Sequence, residues 1–273
     1  VYQALGLPWI EPELRENRGE IEAARAGRLP DLVGYDEIRG DLHVHTTWSE
    51  GAHSIEEMAE AARALGYEYI AICDHAEALR IARGLSPERI AEQVREIERI
   101  NRESGSGFTV LAGIECNIGP DGGLDLPDSV LADLDVVVAS VHSGLKQPEE
   151  EMTKRLITAM HNDNVDIIGH PTGRILLERE PSRIDLAAVF EAAANLGVML
   201  EINAYPSRLD LSDVNARAAR EAGVRLSLGS DAHSRENLRF MEFGVATARR
   251  GWLSADDIAN TRPLPELKKI LRR

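Results

Sequence analysis

The sequence predicts an α/β protein folded as a barrel of seven parallel strands with helices outside, and three observations lead there. Short β-branched and apolar runs recur from Asp41 to the C-terminal third, separated by segments of helical periodicity. The runs are almost continuously apolar, as strands are when both faces of a parallel sheet are covered. No break in composition divides the series in two, which favours one barrel over two domains.

Residues 1–39 stand apart. They carry Pro8 and Pro12 around Trp9, a short helical stretch near Glu20–Ala26 and a loop-like exit. They read as an extension leading into a domain of residues 40–273. The strands expected there are DLHVH (41–45), YEYIAICDH (67–75), FTVLAGIEC (108–116), DVVVASVH (135–142), VDIIGH (165–170), VMLEIN (198–203) and VRLSLGSDAH (224–233). Between them, SIEEMAEAARALG opens on Ser54 as N-cap with Glu57 as its capping-box partner, and closes on Gly66. SPERIAEQVREIERIN, LAAVFEAAANLG and SDVNARAAREAG read as further helices, the last two ending in Gly197 and Gly223.

Composition narrows the function classes. At 273 residues with 43% hydrophobic and 28% charged residues, the chain can bury a sizeable core. It has no run of about 18 apolar residues for a membrane span and no basic-then-apolar leader. The two cysteines, Cys73 and Cys116, form no CxxC pair, which points to a reducing, cytoplasmic setting. A first residue of Val rather than Met hints at a piece of something longer. The net charge of −15 argues against a protein that coats nucleic acid, but not against an enzyme that takes a strand end into a metal pocket.

An H-x-H pair alone is a weak signal, more often two surface histidines than a metal site. Here position strengthens it. His43 and His45 end the first strand on one face, and Glu50 follows a few residues on. His75 ends the second strand, Glu115 the third, His142 the fourth and His170 the fifth, while Asp231 and His233 end the seventh. Six of the eight histidines thus fall at strand ends, which converge on one mouth in a parallel β/α barrel. His53 and His161 are expected to face solvent, and Cys73 and Cys116 to point away from the ligands as packing residues. Imidazole and carboxylate without thiolate suit Mn²⁺, Zn²⁺ or Fe²⁺. There are too many donors for one ion, so two or three divalent ions sharing Glu115 are expected. Lys146, Arg174 and Arg208 follow strand ends and are candidates for substrate phosphate. Asn203, ending the sixth strand, is a candidate to orient a ligand or the substrate.

In order, these residues resemble the PHP (polymerase and histidinol phosphatase) superfamily. SIEEMAEAARALGYEYIAICDH, SVHSGLKQPEEEMTKRL, GHPTGRIL, LEINAYPSRLDLSD and SDAHSRENLRFMEFGVATARRGWL resemble in particular the C-terminal PHP domain of bacterial and archaeal family X DNA polymerases. Even ALGLPWIEPELRENRGEIEAA is similar to the segment joining polymerase to PHP domain. The resemblance implies a distorted, TIM-barrel-like (β/α)7 barrel with a trinuclear metal site at the C-terminal strand ends. It assigns one ion to His43, His45, Glu115 and Asp231, a second to Glu115, His142 and His170, and a third to Glu50, His75 and His233. Glu115, His142 and Asp231 are then the catalytic residues. The family usually has Asp where this chain has Glu50, which puts the third ion in doubt. The implied activity is hydrolysis of DNA phosphodiesters at 3′ ends, with 3′-phosphates and abasic sites as further substrates. No polymerase carboxylate triad lies in this chain, so a polymerase region would be a partner elsewhere in a longer protein. The alternatives are a phosphatase of small phosphomonoesters, of histidinol-phosphatase type, and a structural module without activity.

Overall fold

A computed structural model describes residues 1–76, 79, 82–105 and 107–271. The strands are β1 (Gly40–Val44), β2 (Tyr69–Ile72), β3 (Thr109–Asn117), β4 (Val136–Ser140), β5 (Ile167–Ile168), β6 (Met199–Asn203) and β7 (Leu226–Gly229). They pair in parallel in sequence order, as a seven-stranded β/α barrel requires. The helices are α1 (Glu20–Arg25), α2 (Ile55–Ala64), α3 (Pro87–Ser104), α4 (Asp128–Leu131), α5 (Glu149–Met160), α6 (Leu186–Leu196), α7 (Asp213–Glu221), α8 (Met241–Arg250) and α9 (Leu264–Ile270). The expected capping box is present: Glu57 N donates to Ser54 Oγ at 3.2 Å and Ser54 N to Glu57 Oε2 at 2.9 Å.

Alternate residues of the strands feed two cores. Ile70, Ile72, Val110, Val137 and Leu200 pack outward under the helices. Tyr69, Ala71, Leu111, Val138 and Met199 fill the barrel, with Leu267 and Leu271 packed on them from α9 and the residue after it. Cys116 lies in the outer core, away from Glu115 as expected. Cys73 does not: it lies in the inner core with Tyr69 and Ala71, carrying the alternation of β2 one residue past its end. It still serves packing, since burial raises its thiol pKa far above the ordinary value.

Closure is imperfect, and side chains complete it. Backbone bonds run from Asp231 N to His43 O (3.0 Å) and from His45 N to Ala232 O (2.9 Å). Lower in the β7–β1 seam, Asn260 donates through Nδ2 to Gly40 O and Leu228 O and accepts from Leu228 N, standing in for a strand's backbone. Buried Asp41 accepts from His43 N in its own strand and from Ser230 N across the same seam, and burial raises its pKa to about 6. β1 also carries a register shift between Asp41 and Val44. The N-terminal segment packs on the outside of α7 and α8. Ile10, Leu14, Ala23 and Ala24 cluster with Trp252, and Glu13, Glu16 and Arg18 pair with Arg249, Arg250 and Asp213. Among the described residues, no helix is long and apolar enough to cross a membrane.

Candidate metal centre

The C-terminal strand ends bring all nine expected donors to one mouth. Glu115, at β3, stands at the centre. Its Oε2 lies 3.4 Å from His43 Nε2, 3.6 Å from His45 Nε2 and 2.9 Å from His75 Nδ1. Its Oε1 lies 3.2 Å from His142 Nε2 and 2.9 Å from His170 Nε2. Asp231 Oδ1 is 3.1 Å from His45 Nε2, and Glu50 Oε1 reaches His75 Nε2 (3.2 Å) and His233 Nε2 (3.1 Å). Three groups each hold their donor atoms within 4.8 Å of one another: His45, His75 and His233; His43, His45 and Asp231; and His75, Glu115 and His142.

The donors fit divalent cations. His43 Nε2, His45 Nε2 and His75 Nδ1 are buried, face carboxylates and lack a properly directed hydrogen bond. Burial drives the His45 pKa down to about 3, so its ring is neutral with a lone pair to give. Burial also opposes charge on Glu115, yet His75, His43 and His142 hold its pKa well below the ordinary carboxylate value. Such a set, with nitrogen and oxygen donors around a shared carboxylate, suits more than one borderline cation.

The comparisons agree with this architecture. The PHP domain family model matches residues 41–205. The chain belongs to the PHP family. It is 45% identical over its whole length to "DNA polymerase/3′-5′ exonuclease PolX" of Bacillus subtilis (strain 168), of which it spans 47%. It is 32% identical, over 85% of its length and 94% of the relative's, to a "Probable phosphatase" of Thermoanaerobacter sp. (strain X514). Its fold matches the crystal structure of histidinol phosphate phosphatase from Lactococcus lactis, complexed with zinc, L-histidinol and phosphate. That match has a TM-score of 0.57 at 18% identity and covers 77% of this chain and 93% of that one.

The PHP mouth rests on residues the sequence reading passed over. Glu201, in the middle of β6, accepts from His43 Nδ1 at 2.7 Å through Oε1. Its Oε2 accepts from His170 N (2.6 Å) and Asn203 Nδ2 (3.2 Å). The bond to Nδ1 fixes the His43 tautomer with Nε2 free toward Glu115. A glycine leaves room for this carboxylate: a Cβ on Gly229 would lie 2.2 Å from Glu201 Oε1. The signal was a glutamate inside an otherwise apolar strand. Asn203 does orient a donor, since its Nδ2 reaches Asp231 Oδ2 at 3.1 Å. Asp74, buried behind His75, accepts from Thr46 N, Thr46 Oγ1, Ser49 Oγ and Gln93 Nε2, tying down the loop that carries Glu50. His170 and Asp231 hold positive φ values of 27° and 54°, a backbone region costing roughly 1–3 kcal/mol that clusters at functional sites.

The basic candidates divide. Arg208 Nε sits 3.4 Å from Asp231 Oδ2, at the mouth. Arg174 instead turns its guanidinium onto the carbonyls of Arg208 and Leu209, bracing the loop that presents Arg208. Lys146 is exposed on a cleft beside the mouth. His161 is exposed, whereas His53 is half-buried and accepts from Arg235 N at 3.4 Å.

Proposed function

We propose that this chain is a metal-dependent phosphoesterase that hydrolyses phosphodiesters at DNA 3′ ends. The observation that carries the reading is Glu115, a buried carboxylate within 3.6 Å of five imidazoles, with Arg208 beside Asp231 at the same mouth. Two or three divalent ions held there, Mn²⁺, Zn²⁺ or Fe²⁺, would supply an activated water and neutralise charge in an in-line displacement at phosphorus. One position draws on His43, His45, Glu115 and Asp231, the second on Glu115, His142 and His170, and the third on Glu50, His75 and His233. Glu115, His142 and Asp231 then bear most directly on the reacting phosphate. Arg208 would meet a non-bridging phosphate oxygen, as guanidinium forks do. The buried strand ends below the donors keep bulk water from their inner side.

DNA is favoured over small phosphoesters by the 45% identity that runs the length of the chain to a relative named as a 3′-5′ exonuclease. In this reading residues 1–39 form a junction and residues 40–273 the catalytic domain of a longer protein. A polymerase region of that protein would supply much of the grip on DNA that a chain of net charge −15 lacks. The setting is DNA repair in a reducing cytoplasm, consistent with two buried cysteines that form no disulfide. A second reading, hydrolysis of small phosphomonoesters, draws on the phosphatase-named relatives.

Metal analysis joined to an end-labelled DNA digestion tests both readings. Two or three ions per chain and shortening from 3′ ends in Mn²⁺ are expected, with weak turnover of histidinol phosphate. Robust phosphomonoester hydrolysis without DNA degradation in any metal would replace the first reading by the second.

A further inference from the structure

A cleft of about 1030 Å³ opens beside the mouth, between Gly144–Pro148 after β4 and Glu178–Arg183 after β5. None of the nine metal donors lines it. Its walls are stitched together: Ser182 N donates to Thr172 O at 2.8 Å and Ser182 Oγ to Leu145 O at 3.0 Å. Gly173 lies where they meet, with φ of +64°, and a Cβ there would come within 2.8 Å of Leu145 Cδ2. Arg179 Nε is anchored on Gly173 O at 2.8 Å. The cleft is thus formed before anything enters it, which lowers the ordering cost of a ligand.

Its charge runs against that of the molecule. Lys146, Arg179 and Arg183 line it, with Glu178 and Glu180 as the only carboxylates among its lining residues, in a chain of net charge −15. Arg179 lies within electrostatic range of Arg208, and burial together with that neighbour lowers its pKa. Arg208 in turn touches Asp231. Arg179 therefore links the two places: it is within reach of Arg208 at the mouth and of Glu178 and Asp210, and it lines the same cleft as Lys146 and Arg183. Like charges held side by side by the fold favour an anion among them. Leu145, Pro148 and Pro181 add apolar wall to the same cleft. Several cations along one cleft suit a backbone of successive phosphates better than one isolated phosphate.

We propose that this cleft is the track for a single-stranded polynucleotide, binding the phosphates on the 5′ side of the bond cleaved at the mouth. The inference rests on the DNA reading above and deepens it, because it locates the preference for a polymer over a small phosphoester. A phosphomonoester would be handled at the mouth alone and leave the cleft unfilled.

The test is the double substitution Lys146→Ala with Arg183→Ala, both exposed positions. It is assayed on an end-labelled oligodeoxythymidylate and on bis(p-nitrophenyl) phosphate in Mn²⁺ over a salt series. The kcat/KM for the oligonucleotide should fall about tenfold, through KM. The log–log salt slope should shrink by about 1.4, from two contacts of about 0.7 each on a single strand. The loss on the chromogenic diester should be smaller by about tenfold. Arg179→Gln should shift the same ratio, with a thermal melt separating any loss of fold. If the wild-type chain degrades the oligonucleotide and the double variant does so with the same KM and salt slope, the track is wrong and the DNA reading stands. If the wild-type chain hydrolyses only the small diester, the DNA reading fails and takes the track with it.

Discussion

On the inner side of the mouth, the side chains of Glu115, His43 and His45 are at most 1% exposed, whereas on the outer side Glu50 shows 37% of its side chain and His233 29%. The inner donors are held from behind by buried groups: Glu201 on His43, Asn203 on Asp231, and the seam bonds between β7 and β1. The outer pair leans on a loop pinned by Asp74 and on each other. A desolvated donor set strengthens its interaction with a cation and slows exchange with water, while a solvated one can be refilled. For the metal positions proposed above, the difference predicts a tight inner one and a weaker, replaceable outer one.

The largest way to break this contrast is Glu115→Ala. It removes the carboxylate shared by five imidazoles and leaves their buried nitrogens facing one another. Metal affinity should fall well beyond the roughly 100-fold that loss of an outer support costs, and phosphoester hydrolysis should drop to background. Elemental analysis and a chelator-competition titration read the first, a chromogenic diester the second. Near wild-type turnover would mean that Glu115 is not the bridge.

Glu201→Gln tests whether inner tightness comes from behind the donors. Charge is lost at the His43 Nδ1 partner while side-chain volume is kept, so inner-site affinity should weaken by about 10–100-fold. Gly229→Ala should act in the same direction by another route, because its Cβ would press on Glu201 Oε1 and on His43 Cβ at 2.6 Å. Both are read by competition titration, with the melting temperature recorded without metal. An unchanged inner affinity in both variants would confine the role of Glu201 to the fold.

These variants also mark what the sequence could reveal. Strand order, the helix caps and the convergence of nine histidines and carboxylates were legible because barrel topology sends every strand end to one place, and because histidine is scarce enough for its position to stand out. Strand limits were not. β2 spans Tyr69–Ile72 and β5 only Ile167–Ile168, so both histidines lie past those ladders, His75 on an isolated bridge to Glu115 and His170 on a bend, a difference that apolar patterning cannot show. Glu201 was missed because attention to strand ends overlooks a charge in mid-strand. What Arg174 touches was not legible either, since sequence shows a cation but not which carbonyls it will find. Asn260 carried no signal at all, since the gap it fills exists only once seven strands have closed.

The smallest expected effect is at the outer position. Glu50 Oε1 lies about equally far from His75 and His233, and hydrogen bonds from His233 and then His75 lower its pKa. Glu50→Asp draws the carboxylate back by roughly 1.5 Å, one carbon–carbon bond. The loop cannot simply follow, because Thr46 and Ser49 are bonded to Asp74 and a Cβ on Gly51 would come within 2.7 Å of the Thr46 backbone. The site is open enough, however, for water to complete a coordination shell. Turnover of a chromogenic diester should therefore stay within about twofold of wild type or rise slightly. The affinity of the weakest-bound ion should change by up to about tenfold, and the tighter ions should keep theirs. Mn²⁺ titration followed by electron paramagnetic resonance separates these classes. If Glu50→Asp empties the tight position as well, the inner and outer sites are one coupled cluster, and the contrast between them does not hold.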